Sequence, residues 1–150
     1  MKITYTKVKP AVCKTNREFY KNHIRRAFIM YVAYEGLLDD CFTHEEVERA
    51  KRGILPDDCN VHHRVPLSGC DDESVHSFEN LTVIHVKTHE RINREIFAPQ
   101  LRPLLKQPYG TSIEIEVPEF DYVDSDGIKK EREIKRLMFL KRKYYGHFDR

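Results

Sequence analysis

At 150 residues the chain is long enough for one domain with a real hydrophobic core and too short for two well-packed ones. With 40% hydrophobic and 33% charged residues it has the composition of a folded globular protein, and no apolar run reaches the ~20 residues that cross a bilayer. The formal net charge of +2 is close to balance, so overall charge does not by itself announce a polyanionic partner.

In chain order, residues 3–8 alternate apolar and polar positions and predict a short strand that ends at Pro10. Asn16 is expected to cap a helix over residues 16–38, with Phe19, Tyr20, Ile24, Phe28, Tyr31 and Val32 at helical spacing. Thr43-His44-Glu45-Glu46 has the form of a capping box, so a second helix is predicted over residues 44–52, ended by Gly53 and Pro56. Residues 61–65 predict a strand, residues 66–80 a polar loop and residues 81–85 a second strand. Thr88 is expected to cap a helix from His89 to about Phe97, after which Pro99, Pro103 and Pro108 break the chain. Residues 113–117 alternate as a half-buried strand, and residues 128–145 predict a basic helix with Ile134, Leu137, Met138 and Phe139 turned inward. The fold class expected is α+β, in a single domain.

Charge is unevenly spread. Between residues 129 and 150 nine basic residues face three acidic ones, whereas residues 114–126 are acidic. Lys135, Arg136, Lys141 and Arg142 are thus candidates for a phosphate-contacting track, and Arg64 is another candidate phosphate contact. The N-terminus has no apolar signal-peptide core, and Cys13, Cys41, Cys59 and Cys70 form no Cys-x-x-Cys pair. These features are read as reduced thiols in a cytoplasmic setting, with no membrane partner.

The polar residues of the strand–loop–strand–helix in the middle of the chain belong together chemically. His62 and His63 are adjacent on a strand, so their side chains project to opposite sides. His89 and Asn93 lie one helical turn apart on one face. A hairpin packed on that helix can gather His62, His89 and Asn93 around one divalent cation (Mg, Mn, Ni or Zn), leaving His63 free to move a proton. Asn80, at the end of the loop, is expected to hold the His63 imidazole in its productive orientation. A base near neutral pH plus a cation on the phosphate is what phosphodiester hydrolysis requires. His85 and His89 also form His-x-x-x-His, but strand geometry at His85 points to a structural role, and His23, His44, His76 and His147 are read as loop or surface residues.

Val61-His62-His63-Arg64-Val65-Pro66-Leu67-Ser68-Gly69, then Asn80-Leu81-Thr82-Val83-Ile84, then His89-x-x-x-Asn93 resembles the HNH (ββα-metal, His-Me finger) endonuclease motif, nearest to colicin-type and related bacterial toxin DNases. The resemblance implies a ββα-metal core at about residues 57–97, flanked by N- and C-terminal helices and a small additional β element. It implies His62 and His89 as metal ligands, with Asn93 at the place where colicin-type members carry a third histidine. It implies His63 as general base and Asn80 as the loop-bracing asparagine. The paired Cys-x-x-Cys zinc supports of many members are absent, and their Gly-Gly is here Gly69-Cys70.

The activity expected is one-metal hydrolysis of DNA, with RNA also open as substrate, and with low sequence specificity because no dedicated base-reading element is evident. An interbacterial toxin domain with a cognate immunity protein, delivered from another cell, is one setting. A phage or mobile-element endonuclease is another. A non-catalytic, metal-stabilised nucleic-acid-binding protein is the rival from a different class.

Overall fold

Proline lacks the amide hydrogen that a first helical turn leaves unpaired, and Pro10 occupies that position: helix α1 spans Pro10–Phe19. The chain continues through a π-helical turn at Tyr20–Ile24 into α2, Arg25–Tyr34. The first helix therefore begins six residues before the expected cap. Asn16 lies inside α1, where its side-chain amide donates to the carbonyl of Cys70 at 3.2 Å and ties the helix to the central loop.

This computed structural model describes residues 1–145, so His147 and Arg150 lie outside the described residues. Its class is α+β. Strand β1 (Lys2–Thr6) pairs antiparallel with β4 (Ser112–Glu116), Tyr5 opposite Ile113. Strand β2 (Cys59–His63) pairs antiparallel with β3 (Leu81–His85), with His63 opposite Leu81 and His62 opposite Thr82. The segment after β4 runs beside β3, donating and accepting at Val83 through Asp124 and Tyr122.

Helix α3, His44–Ala50, starts as its sequence dictates. Thr43 Oγ1 accepts from the Glu46 amide at 3.2 Å, and Glu46 Oε1 accepts from the Thr43 amide at 2.9 Å, satisfying two otherwise unpaired donors. Helix α4 spans Val86–Arg91 and runs through a π-helical turn at Ile92–Phe97 into α5, Ala98–Leu101. Here the cap is His85, whose Nδ1 accepts from the Lys87 amide at 3.1 Å, and not Thr88. An imidazole acceptor with extended backbone can do what a hydroxyl does, so the helix follows β3 without a linker.

The two faces of the β2–β3 ribbon are buried differently, as a period of two demands. Cys59, Val61, Leu81 and Val83 join the cluster built on Phe28, Ile29, Val32 and Leu38. Ile84, on the other face, joins Tyr5, Ile92, Phe97 and Ile115. The turn at Leu67–Gly69 docks on β1: Tyr5 Oη and Ser68 Oγ are 2.7 Å apart, and a Cβ at Gly69 would lie 2.3 Å from the Tyr5 ring. Only glycine lets the backbone approach that closely.

Helix α6, Ser125–Tyr145, corrects another expectation. Its buried residues are Ile128 and Glu131, whereas Leu137 is 52% exposed, Phe139 is 61% exposed, and Ile134 and Met138 are also exposed. The apolar stripe exists, but no element of the described residues reaches far enough to cover it.

Candidate metal and active site

Pairing of β2 with β3, and direct continuation of β3 into α4, brings the chemistry-bearing residues to one place. His62, His63, His89 and Asn93 line a single cleft of about 220 Å³, together with Arg17, Phe97 and the turn at Pro66, Leu67 and Ser68. His62 is 1% exposed and is packed between the rings of Phe97 and Phe120, with ring centres at 6.0 and 5.8 Å. Its ring centre lies 5.3 Å from that of His89, the planes inclined at 74°. Two imidazoles bound at about 2.0–2.1 Å to a tetrahedral ion hold their ring centres roughly 5 Å apart.

His89 is oriented by a residue outside the motif. Its Nδ1 lies 3.0 Å from Asn60 Oδ1, on the neighbouring strand. In the tautomer that donates this proton, Nε2 carries the lone pair and is the free ligand atom. On His62, Nε2 is buried and has no hydrogen-bond partner among the described residues. A buried, unpaired ring nitrogen is costly unless something binds it. Burial, then the neighbouring His89, His63 and Arg64, pulls the His62 pKa down to about 3, so the ring is neutral and its lone pair is available. Asn93, exposed near the start of the π-helical turn, lines the same cleft and brings a carboxamide to it. Among the described residues no group of three His, Cys, Asp or Glu side chains is poised to hold a metal ion; this set is two imidazoles and an amide. The donor types of the set, and the spacing of its two imidazoles, fit one divalent cation.

His63 projects to the opposite side of β2 from His62, yet reaches the same cleft because the strand ends there. Tyr20 packs against it in a T-shaped pair, ring centres 4.4 Å apart, and the His63 Nε2 is likewise buried with no hydrogen-bond partner among the described residues. Burial, with His76 and His89 nearby, holds the His63 pKa down at about 4. The imidazole is therefore neutral at physiological pH, the form that accepts a proton.

Asn80 is placed differently from the expectation. Its side chain accepts from the Val65 amide at 2.8 Å and donates to the carbonyls of Val65 and Val75, both at 3.0 Å. These bonds close the loop between β2 and β3 upon itself; none reaches the His63 imidazole. Both amide hydrogens are spent on backbone carbonyls, and the one lone pair left on Oδ1 accepts from no side chain among the described residues.

The nucleic-acid contacts inferred from charge are not gathered at this cleft. The Arg64 guanidinium donates to the Phe120 carbonyl and lines a separate groove bordered by Glu79, Glu119, Asp121 and Asp124. Alternation along the chain turns it away from the His63 side. Arg136 is engaged by Glu133 at 2.6 and 3.0 Å, Lys135 and Arg142 line another groove beside His85 and Met138, and Lys141 is exposed on α6; none lines the cleft. The basic residue that does line it is Arg17, on α1. No sequence motif marks it, because its contact with the cleft depends on how α1 folds back. His85 proves structural: it caps α4, and its Nε2 lies 3.6 Å from Asp58 Oδ2. All four cysteines are free thiols.

No known protein-family profile matches the chain, and no solved structure matches it. It is similar to the uncharacterized protein YhhZ of Escherichia coli (strain K12), 30% identical over 76 residues. That match covers 51% of this chain and 18% of the relative, so the chain corresponds to less than a fifth of the relative's length. Among the described residues no helix is long and apolar enough to cross a membrane.

Proposed function

We propose that this chain is a divalent-metal-dependent endonuclease of the HNH type, with residues 57–97 as its ββα-metal core, hydrolysing DNA phosphodiester bonds with low sequence specificity. The observation that carries the reading is the pair His62 and His89, ring centres 5.3 Å apart, with a buried unpaired nitrogen on one and an amide-fixed tautomer on the other. His62, His89 and Asn93 would hold the cation, which when bound supplies charge stabilisation on the scissile phosphate and the departing oxygen. His63, kept neutral by burial, takes the proton from the attacking water. Arg17 is the cation within reach of a phosphate in the cleft. Asn80 keeps the β2–β3 loop closed, and Asn60 keeps His89 turned toward the ligand side.

A low-specificity nuclease must be restrained in the cell that makes it, so a toxin domain with an immunity partner is the biological setting this reading favours. Supercoiled plasmid incubated with Mg²⁺, Mn²⁺, Ni²⁺ or Zn²⁺ tests the activity. The wild type should nick with at least one ion and stop with chelator, and His63→Ala should lose ~10²–10⁴-fold in rate, the usual worth of a general base. Equal cleavage by both proteins would overturn the mechanism. Tight metal and DNA binding without any cleavage would make the chain a binding protein instead.

A further inference from the structure

A second groove adjoins the cleft and has no part in the chemistry above. It is lined by Thr15, Asn16, Phe19 and His76, with the carboxylates of Asp71, Asp72 and Glu73 around it. Phe19 is 46% exposed, unusual for a phenylalanine with a folded core available to it. Its ring is flanked by two imidazoles, His23 at 4.9 Å and His76 at 4.8 Å between ring centres, both tilted at 47°. The three rings form one aromatic cluster in which nearly half of Phe19 still meets solvent.

Its position relative to the scissile site is set by the fold. Tyr20, next in the chain to Phe19, packs on His63, ring centres 4.4 Å apart, so the groove residue Phe19 sits one position from a ring that touches the cleft. Arg17 lines the cleft while Asn16 and Phe19, on the same helix, line the groove. Groove and cleft therefore lie next to each other along α1, the groove at Asn16 and Phe19 and the cleft at Arg17 between them.

Resting on the nuclease reading, we propose that this groove is a nucleobase subsite, in which the base flanking the scissile phosphate leaves its stack and lies on Phe19. The groove suits a base and rejects a phosphate. Every base has a π-face for an aromatic ring, which gives sequence-tolerant binding. The carboxylates on the rim repel a sugar-phosphate backbone, yet can accept from exocyclic amines. A continuous duplex laid across this face would put phosphates against those carboxylates, so the preferred substrate is single-stranded or locally unpaired DNA.

The chain contains no tryptophan, so Phe19→Trp installs a single indole reporter, excited selectively at wavelengths beyond tyrosine absorption. In chelator, to prevent cleavage, its fluorescence should be quenched saturably by a short single-stranded oligonucleotide. An abasic oligonucleotide of equal length should quench it far less, and so should a blunt duplex. In anisotropy measurements with a labelled strand, Phe19→Ala should bind roughly five- to a hundredfold more weakly, the range for loss of one base stack, with Phe19→Tyr restoring most of the affinity. Equal quenching by abasic and normal strands, or unchanged affinity in Phe19→Ala, would overturn the subsite, as would absence of strand binding altogether. Because none of these readouts uses turnover, the subsite can fail while metal-dependent nicking by the wild type survives, and the reverse.

Discussion

Asn60 offers a sharp perturbation, because it touches neither the cleft nor the proposed cation and acts only through His89. Its Oδ1 lies 3.0 Å from His89 Nδ1, and this is the contact that selects the tautomer with Nε2 free. In Asn60→Ala the imidazole regains rotation and both tautomers, and its Nδ1 proton must find water. Partners of this kind are typically worth 10–100-fold in metal affinity, or about 1.4–2.7 kcal/mol. Asn60 and His89 are both half-buried, so water can partly replace the lost acceptor, which places the expectation near tenfold. Asn60→Asp should act in the opposite direction, since a carboxylate keeps the acceptor and raises the basicity of the ring. Calorimetric titration of Zn²⁺ or Ni²⁺ into the three proteins, each checked for an unchanged thermal transition, measures this directly. Affinity in Asn60→Ala within twofold of wild type, or an Asp variant as weak as the Ala variant, would refute the assignment of His89 as an oriented ligand.

The same physics governs sites that hold the frame. Arg132 donates to both oxygens of Glu46 at 2.8 Å, to Asp58 at 2.8 and 3.0 Å, and to the Cys41 carbonyl at 3.1 Å, joining α6, α3 and the entry to β2. Arg132→Met should cost about 3 kcal/mol in urea unfolding, the low end for breaking a buried pair, because the groups keep some solvent contact. Burial alone would raise the Glu46 and Asp58 carboxyls, but hydrogen bonds and charge from Arg132 outweigh it and hold both below the usual range. The wild type therefore has this stabilisation in full above about pH 5 and loses it as pH falls through the lowered folded values, while Arg132→Met should show a flatter acid limb. An identical acid limb in the two proteins would contradict this. Asn80→Ala removes three backbone-directed hydrogen bonds and should destabilise by roughly 2–3 kcal/mol at about 1 kcal/mol each. Asn80→Asp should be no better, since a carboxylate would face the Val65 and Val75 carbonyls; a loss below about 0.5 kcal/mol in either variant would show that the loop does not depend on this side chain.

What could be read from the residues was whatever rests on local chemistry. The Thr43–Glu46 capping box, the strand at residues 81–85 and the convergence of His62, His63, His89 and Asn93 on one cleft follow from short-range pattern and from the pairing of neighbouring strands. The start of α1 was hidden because Pro10 ends a strand as plausibly as it opens a helix. The α4 cap is hard to read from residue type because histidine is a rarer acceptor there than threonine. Periodicity located the apolar stripe of α6 but carries no information about whether anything covers it. Asn60, Arg17, Phe19 and Tyr20 acquire their roles through contacts made only in the folded chain, so no motif marks them. Asn80 carried a signal for loop bracing, and the geometry replaces the expected bond to His63 with bonds to the loop backbone.

A crystal of the wild-type protein soaked in Mn²⁺ or Zn²⁺ and measured at the metal edge tests the shared-cation geometry most directly. The account predicts one anomalous peak in the cleft, about 2.0–2.3 Å from a ring nitrogen of both His62 and His89, with His63 unbound. A peak held by His63 in place of His62, or a cleft that takes up no ion while His62 and His89 remain in contact, would contradict it.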